Sequence, residues 1–321
     1  IMSVSRSRMI HEAEDSFQSR KAPQQKKNGL PDEGVNRYSD TALWCTLNGG
    51  NYMKKSTAIV AGLASLLLIA AGFTGCAKKE SGKLVLGTSA DYPPYEFHTQ
   101  IDGKDTIVGF DVEIAKEIAK DLGLELEIKD MDFDGLLAAL ATGNVDLVIA
   151  GMTPTEERKQ NVDFSEIYYY AEHGVIIRKA DAEKYGTAMN SLENVMIGAQ
   201  RGAIQVGLAK TYLKGVPAEE VEAPHAQIKE LGKLPDLVME LKNSKIEAVV
   251  AELPVAKAYL GANSDLMLAS YTIVDDAGGS AVAVKKGNAK ILESVNKTVA
   301  RLVSEGKIEA FVAQASEMVE Y

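Results

Sequence analysis

Two cysteines, four histidines and a single tryptophan are all that the 321 residues hold of those types. Cys45 and Cys76 are too few for a disulfide framework. His11, His98, His173 and His225 stand singly, so no zinc-binding spacing forms. Isolated histidines are ordinarily surface or satisfied core residues, and neither a metal nor another cofactor is expected. Basic charge is short as well: 35 Lys and Arg stand against 45 Asp and Glu, a formal charge of −10 that argues against nucleic acid as a partner. Internal repeats, heptads and phosphate loops are absent from the sequence. What remains is a globular balance, 46% hydrophobic and 25% charged, over a length sufficient for two domains.

The longest apolar run lies early. Met53-Lys54-Lys55, an apolar stretch over 58–71 and then Phe73-Thr74-Gly75-Cys76 have the charged n-region, h-region and small-residue site of a secretory signal. Residues 56–77 are uncharged and long enough to span a bilayer, which takes about 20 residues, so length alone does not separate a cleaved signal from an anchor. Thr74-Gly75-Cys76 before Ala77-Lys78-Lys79 resembles a bacterial lipobox, with Phe73 where that pattern prefers Leu. The resemblance implies a lipoprotein with a palmitate-type lipid on Cys76 as its first mature residue. A signal needs an N-terminus near its n-region. Residues 1–52, polar and without helical or strand period, therefore read as an upstream extension translated from before the true start at Met53. The alternative is a cytoplasmic extension ahead of a membrane helix. Residues 53–75 are then signal and 76–82 a polar tether.

Beyond the tether, strand-like and helix-like patterns alternate, as in a parallel α/β sheet. Lys83 to Ala90 reads as a strand. Asp111, Ile114, Ala115, Ile118, Ala119 and Leu122 recur at helical spacing, closed by Gly123 as a C-cap. Leu124 to Lys129 alternates as a strand, 133–141 is a second helix, and 145–150 a third strand. A second alternation starts at Val195, with a strand over 195–199, helices over 204–213 and 234–243 and a strand over 246–252. One more strand, 281–285, and two helices over 288–318 follow.

The stretch Asp146 to Ser165 carries the chemistry. An apolar run empties into Gly151-Met152-Thr153-Pro154 and then Thr155-Glu156-Glu157-Arg158. Gly151 leaves its carbonyl unobstructed, Thr153 offers a hydroxyl and an N–H, and the Arg158 fork matches a carboxylate bidentately. A plain alternative is that Thr153 caps a helix with Pro154 first and Glu156 third, while Arg158 sits in solvent. Taken with the strand entering Asp91-Tyr92-Pro93-Pro94-Tyr95-Glu96-Phe97, the Gly109-Phe110-Asp111-Val112-Glu113 helix start and the segment 131–140, this stretch resembles the polar amino-acid-binding family of ABC-transporter substrate-binding proteins. The resemblance runs from about residue 82 to the C-terminus. It implies a periplasmic-binding-protein-like type II fold, α/β, with two lobes, each a mainly parallel sheet flanked by helices. Lobe 1 is 83–172 plus 277–321 and lobe 2 is 173–276. The chain crosses near 170–174 and 274–280, a two-strand hinge in which Gly174, Gly278 and Gly279 can absorb backbone change.

A free amino acid brings a carboxylate and an ammonium, and an unpaired buried charge is severely penalised. Arg158 and Thr153 are the expected carboxylate receptors, helped by Gly202 and Ala203, which precede a helix whose first N–H groups favour anions. The family often has threonine where this chain has Ala203 or Ile204. Glu252, at a strand end where the family usually has Asp, is the expected ammonium partner, with the Gly151 carbonyl as second acceptor. Tyr92 and Phe133 match positions where the family sandwiches the ligand side chain between rings. Ser89 and Gln200 match positions contacting its distal group. The neutral Ser89 leans towards a glutamine-like side chain, while Asp91 or Glu96 could supply an acid for arginine or lysine.

The resemblance implies a monomeric lipoprotein on the outer face of the cell membrane that delivers a polar or basic amino acid to ABC permease subunits. The rival is a secreted dehydratase-like enzyme on the same fold, with Glu252 as its acid.

Overall fold

A computed structural model describes residues 82–274 and 278–319. Cys76, the signal-like segment and residues 1–52 lie outside the described residues.

Strand β1 (Lys83–Thr88) leads into a small antiparallel sheet of β2 (Asp91–Tyr92), β3 (Glu96–Ile101) and β4 (Lys104–Val108). The helix Phe110–Leu122 precedes β5 (Glu125–Asp130), the helix Leu136–Thr142 precedes β6 (Leu147–Val148), and the helix Glu156–Asn161 precedes β7 (Val162–Tyr169). Then come β8 (His173–Arg178), β9 (Ile197–Gln200), β10 (Ile228–Leu231), β11 (Ala248–Glu252), β12 (Leu266–Ile273) and β13 (Ser280–Lys285), with helices Leu234–Lys242 and Leu253–Ala262 between them and Ala289–Ser304 and Lys307–Glu317 after them. Two five-stranded sheets result, ordered β5-β1-β6-β13-β7 and β10-β9-β11-β8-β12. In each, the first three strands pair in parallel and the last two ladders are antiparallel. The antiparallel ladders of the first sheet arise because β13 returns to it after the chain has built the second.

Burial explains the local choices. β8 and β11 are covered on both faces, and their segments 174–177 and 248–251 read as unbroken apolar runs. The helix Phe110–Leu122 buries Ile114, Ala115, Ile118 and Ala119 on one stripe. It ends where Gly123, at φ 68°, donates its N–H to the Ala119 and Lys120 carbonyls. Against its polar flank, Arg301 of the helix Ala289–Ser304 reaches Glu117 and Asp121 at 2.8 Å each, so the C-terminal helices fasten to the first sheet's side.

Several sequence expectations shift. Thr155, not Thr153, is the N-cap of Glu156–Asn161, its Oγ1 accepting from Arg158 N at 3.2 Å; extended backbone at Thr155 puts the first turn two residues later. Residues 133–135 form a 3₁₀ turn before the helix Leu136–Thr142, and the expected 204–213 helix changes from α to π winding at Ala209. Gly174 lies inside β8, where a Cβ would press on Leu253 and Leu268; its smallness serves packing. The passage between sheets instead uses 170–172 and a return through Gly278 and Gly279, both at positive φ. The β3–β4 hairpin, β10 and β12 carry polar or half-buried patterns and escape a periodicity reading.

Candidate functional site

The carboxyl ends of neighbouring β1 and β6 open on the same side, and Thr88 Oγ1 ties them by donating to the Ile149 carbonyl at 2.8 Å. From β6 the chain enters Gly151, whose φ of 54° suits glycine and whose open side faces the rings of Tyr92 and Tyr95. Asp111 Oδ2 accepts the Gly151 N–H at 2.8 Å and the Tyr168 hydroxyl at 2.9 Å, fixing that peptide from below. Arg158 follows on its short capped helix. Its guanidinium lies 5.4 Å from the Phe133 ring centroid, donates through Nη1 to the Thr153 carbonyl and through Nη2 to the Gly202 carbonyl, both at 2.8 Å.

The second sheet answers from across the crevice. Gly202, at φ 74°, brings its backbone so close to Asp134 that a Cβ would stand 2.9 Å from the Asp134 Cβ. Arg201 is half exposed and lies 3.7 Å from Asp134. Ala203 is the N-cap of Ile204–Leu208 and, lacking a hydroxyl, leaves that turn's amides without a side-chain cap. Tyr92 OH accepts from Gln205 Nε2 and from Glu252 N, each at 3.2 Å, and Gln205 Nε2 is 3.3 Å from His173 Nδ1. Glu252, at the end of β11, accepts from Tyr95 OH.

Between them lies a crevice of about 320 Å³, mouth included. Ser89, Tyr92, Phe133, Gly151, Thr153, Arg158, Gln200 and Ala203 line it. Gly202 stands behind Arg158, and Glu252 behind the two tyrosines. Ser89 and Gln200 face Asp91: Ser89 Oγ donates to it at 3.0 Å and Gln200 Nε2 lies 3.3 Å away.

Two further acids complete the floor. Glu96 lines the crevice, is fully buried, and neither of its oxygens meets a donor among the described residues. Asp111 Oδ1 beside it is likewise unpartnered. Facing carboxyl groups have nothing to donate unless one holds a proton. Burial first, and then Asp111, pushes Glu96 well above the usual carboxylate range. Burial pushes Asp111 up to about 6 against the opposing Gly151 and Tyr168 hydrogen bonds. Burial likewise raises the Tyr92, Tyr95 and Tyr168 hydroxyls well above their ordinary value, so all three stay protonated donors. Sequence reasoning took Asp111 only as a helix position. Its signal was present, since a carboxylate on an otherwise apolar stripe must be buried.

A family model described as bacterial extracellular solute-binding proteins, family 3, matches residues 84–315. The chain is 37% identical over 258 residues to the arginine-binding extracellular protein ArtP of Bacillus subtilis, covering 76% of this chain and 94% of that one. It is 28% identical over 276 residues to the ABC transporter glutamine-binding protein GlnH of Bacillus subtilis, covering 80% of this chain and 95% of that one. An amino acid ABC transporter substrate-binding protein from Streptococcus pneumoniae, solved bound to L-arginine, superposes with a TM-score of 0.68 at 37% identity, covering 75% of this chain and 96% of that one. With a two-lobed α/β fold closed around a buried polar crevice, and a match over nearly all its described residues, this chain belongs to the bacterial extracellular solute-binding proteins, family 3.

Proposed function

We propose that this solute-binding protein captures a cationic α-amino acid, arginine foremost, between its lobes and passes it to the membrane subunits of an ABC importer. The observation that carries the reading is the Glu96 carboxyl group, fully buried, lining the crevice and without a donor among the described residues. A guanidinium, with five N–H donors and a charge held at every accessible pH, supplies what that group lacks. Asp111 beside it adds a second acceptor oxygen. The lean towards glutamine drawn from Ser89 weakens, because the Ser89 hydroxyl is turned to Asp91 and not to an empty subsite. Similarity to ArtP and to the arginine-bound Streptococcus pneumoniae protein supports the same choice.

In this reading Arg158 and Thr153, with the Gly202 amide, receive the ligand carboxylate, while the Ala203 N–H donates to the Gln200 carbonyl at 3.1 Å and shapes the turn. Glu252 and the Gly151 carbonyl receive its ammonium, and Tyr92 and Phe133 flank the side chain. Ligand bridging both sheets favours the closed form, which the importer reads. Lipidated Cys76 holds the monomer at the outer face of the cell membrane.

The test is calorimetric titration of the full chain with arginine, lysine, histidine and glutamine. Arginine binding most tightly supports the reading, and glutamine binding more tightly than arginine overturns the cationic assignment. The dehydratase alternative is checked in the same samples by following turnover of a prephenate-like substrate; product formation would displace the transport reading.

A further inference from the structure

The helix Leu234–Lys242 begins without a cap from its own chain segment. Lys233 occupies its N-cap position and makes no side-chain bond to it, and Pro235 in the first turn has no N–H to satisfy. The first N–H, on Leu234, is instead met from the other side of the crevice: it donates to Asp91 Oδ2 at 2.7 Å. Asp91 belongs to β2, which pairs only with β3 of the small sheet beside the first lobe, whereas Leu234 follows β10 of the second sheet. Gln200 Nε2, also of the second sheet, approaches both Asp91 oxygens at 3.3 and 3.4 Å, and the Tyr259 hydroxyl donates to the Asp91 carbonyl at 2.7 Å. Lys233 reinforces the seam, with Nζ 3.3 Å from Asp130 Oδ1 and 3.4 Å from Ser89 Oγ.

We propose that Asp91 is a positioning residue for closure: it caps the second-lobe helix only when the lobes meet, and so holds the closed state independently of which ligand is inside. The inference rests on capture of an amino acid between the lobes. Asp91 contrasts with Glu96. Its oxygens are engaged by Ser89 Oγ, Gln200 and the Leu234 amide, whereas those of Glu96 meet no donor among the described residues. On opening, the Leu234 N–H and the Asp91 carboxylate return separately to water. A hydrogen bond to a charged group corresponds to about ten- to hundredfold in the closed-to-open ratio. Because apparent affinity scales with the binding-competent fraction, every ligand feels the same factor.

Asp91→Asn in the full chain tests this. The affinities for arginine, lysine and glutamine should fall by one common factor of about ten or more. A loss confined to arginine and lysine would make Asp91 a receptor for the ligand's charge and overturn the proposal. Amide hydrogen exchange reads the bond itself. In the ligand-free chain Asp91→Asn should speed exchange at Leu234, and in the unsubstituted chain arginine should slow it; an unchanged Leu234 rate in both comparisons would overturn the latch even if Asp91→Asn proved too unstable to titrate. If no amino acid binds the unsubstituted chain, the transport reading fails, while the ligand-free exchange comparison still decides the latch.

Discussion

Arg158 of the first lobe donates to the Gly202 carbonyl of the second at 2.8 Å, while its other terminal nitrogen holds the Thr153 carbonyl at the same distance. One guanidinium thus touches both walls of the crevice. Arg158→Ala should leave the fold intact and abolish amino-acid binding. Breaking a buried charge pair on one side costs roughly 3–5 kcal/mol, about two to four decades of affinity. Arg158→Lys keeps the charge but not the fork and should recover only part of this. Calorimetry showing less than a tenfold loss for Arg158→Ala would remove Arg158 from the site.

The Glu96 and Asp111 pair predicts a pH dependence. Both carboxyls are raised in the folded, ligand-free protein, Asp111 from 3.8 to about 6. A raised carboxyl contributes stability while protonated and loses it as pH rises through the folded value, worth about 3 kcal/mol for Asp111. A bound cation restores what is lost. Arginine affinity should therefore rise with pH across and above this window, with protons released on binding, and the slope should flatten in Glu96→Gln. That variant should weaken arginine far more than glutamine. A pH-independent arginine affinity, measured by calorimetry in buffers of different ionisation enthalpy, would count against the cationic subsite.

Gly109 couples the site to the fold. Its φ is 130°, and a Cβ there would collide with the Tyr95 carbonyl, which accepts the Asp111 N–H at 3.0 Å. Gly109→Ala should destabilise the protein by roughly 1–3 kcal/mol from backbone conformation alone, with a further loss from displacing Tyr95 and Asp111. Urea denaturation reads the first. A stability within about 0.5 kcal/mol of the parent chain, ordinary for surface substitutions, would show the turn to be adaptable.

How much of this was legible follows from where the information sits. The buried helix stripe from Ile114 to Leu122 and the apolar run of β11 declare themselves by period. So does the Gly151 to Arg158 order. The β3–β4 hairpin does not, because His98, Gln100 and Asp105 break its alternation on an exposed face. The Thr153 cap was misplaced since Thr153 and Thr155 both precede acidic residues, and only backbone conformation at Thr155 selects between them. Roles that depend on pairs brought from distant segments, such as Glu96 with Asp111 or Asp91 with Leu234, have no local pattern at all.

At the N-terminus the expectation is covalent. The lipobox-like Thr74-Gly75-Cys76 after the signal-like 53–75 predicts that protein extracted from its own host begins at Cys76 and carries a lipid mass increment there. Intact mass spectrometry decides this. A mature product that retains Trp44 would refute both the start at Met53 and the anchor.

Glu252 separates ammonium binding from acid catalysis. It is buried at the end of β11, accepts from Tyr95 OH, and its backbone N–H donates to Tyr92 OH. The Tyr95 hydroxyl, which burial keeps protonated, donates to that carboxylate. Glu252→Gln keeps the shape and removes the charge. It should weaken α-amino acids strongly, yet the effect should shrink for des-amino analogues, which bring no ammonium to lose. A general acid behaves otherwise: its amide variant would bind substrate nearly as before and form no product. Titration of parent and variant against arginine and its des-amino analogue makes the distinction, because equal losses for the two ligands are incompatible with an ammonium contact at Glu252.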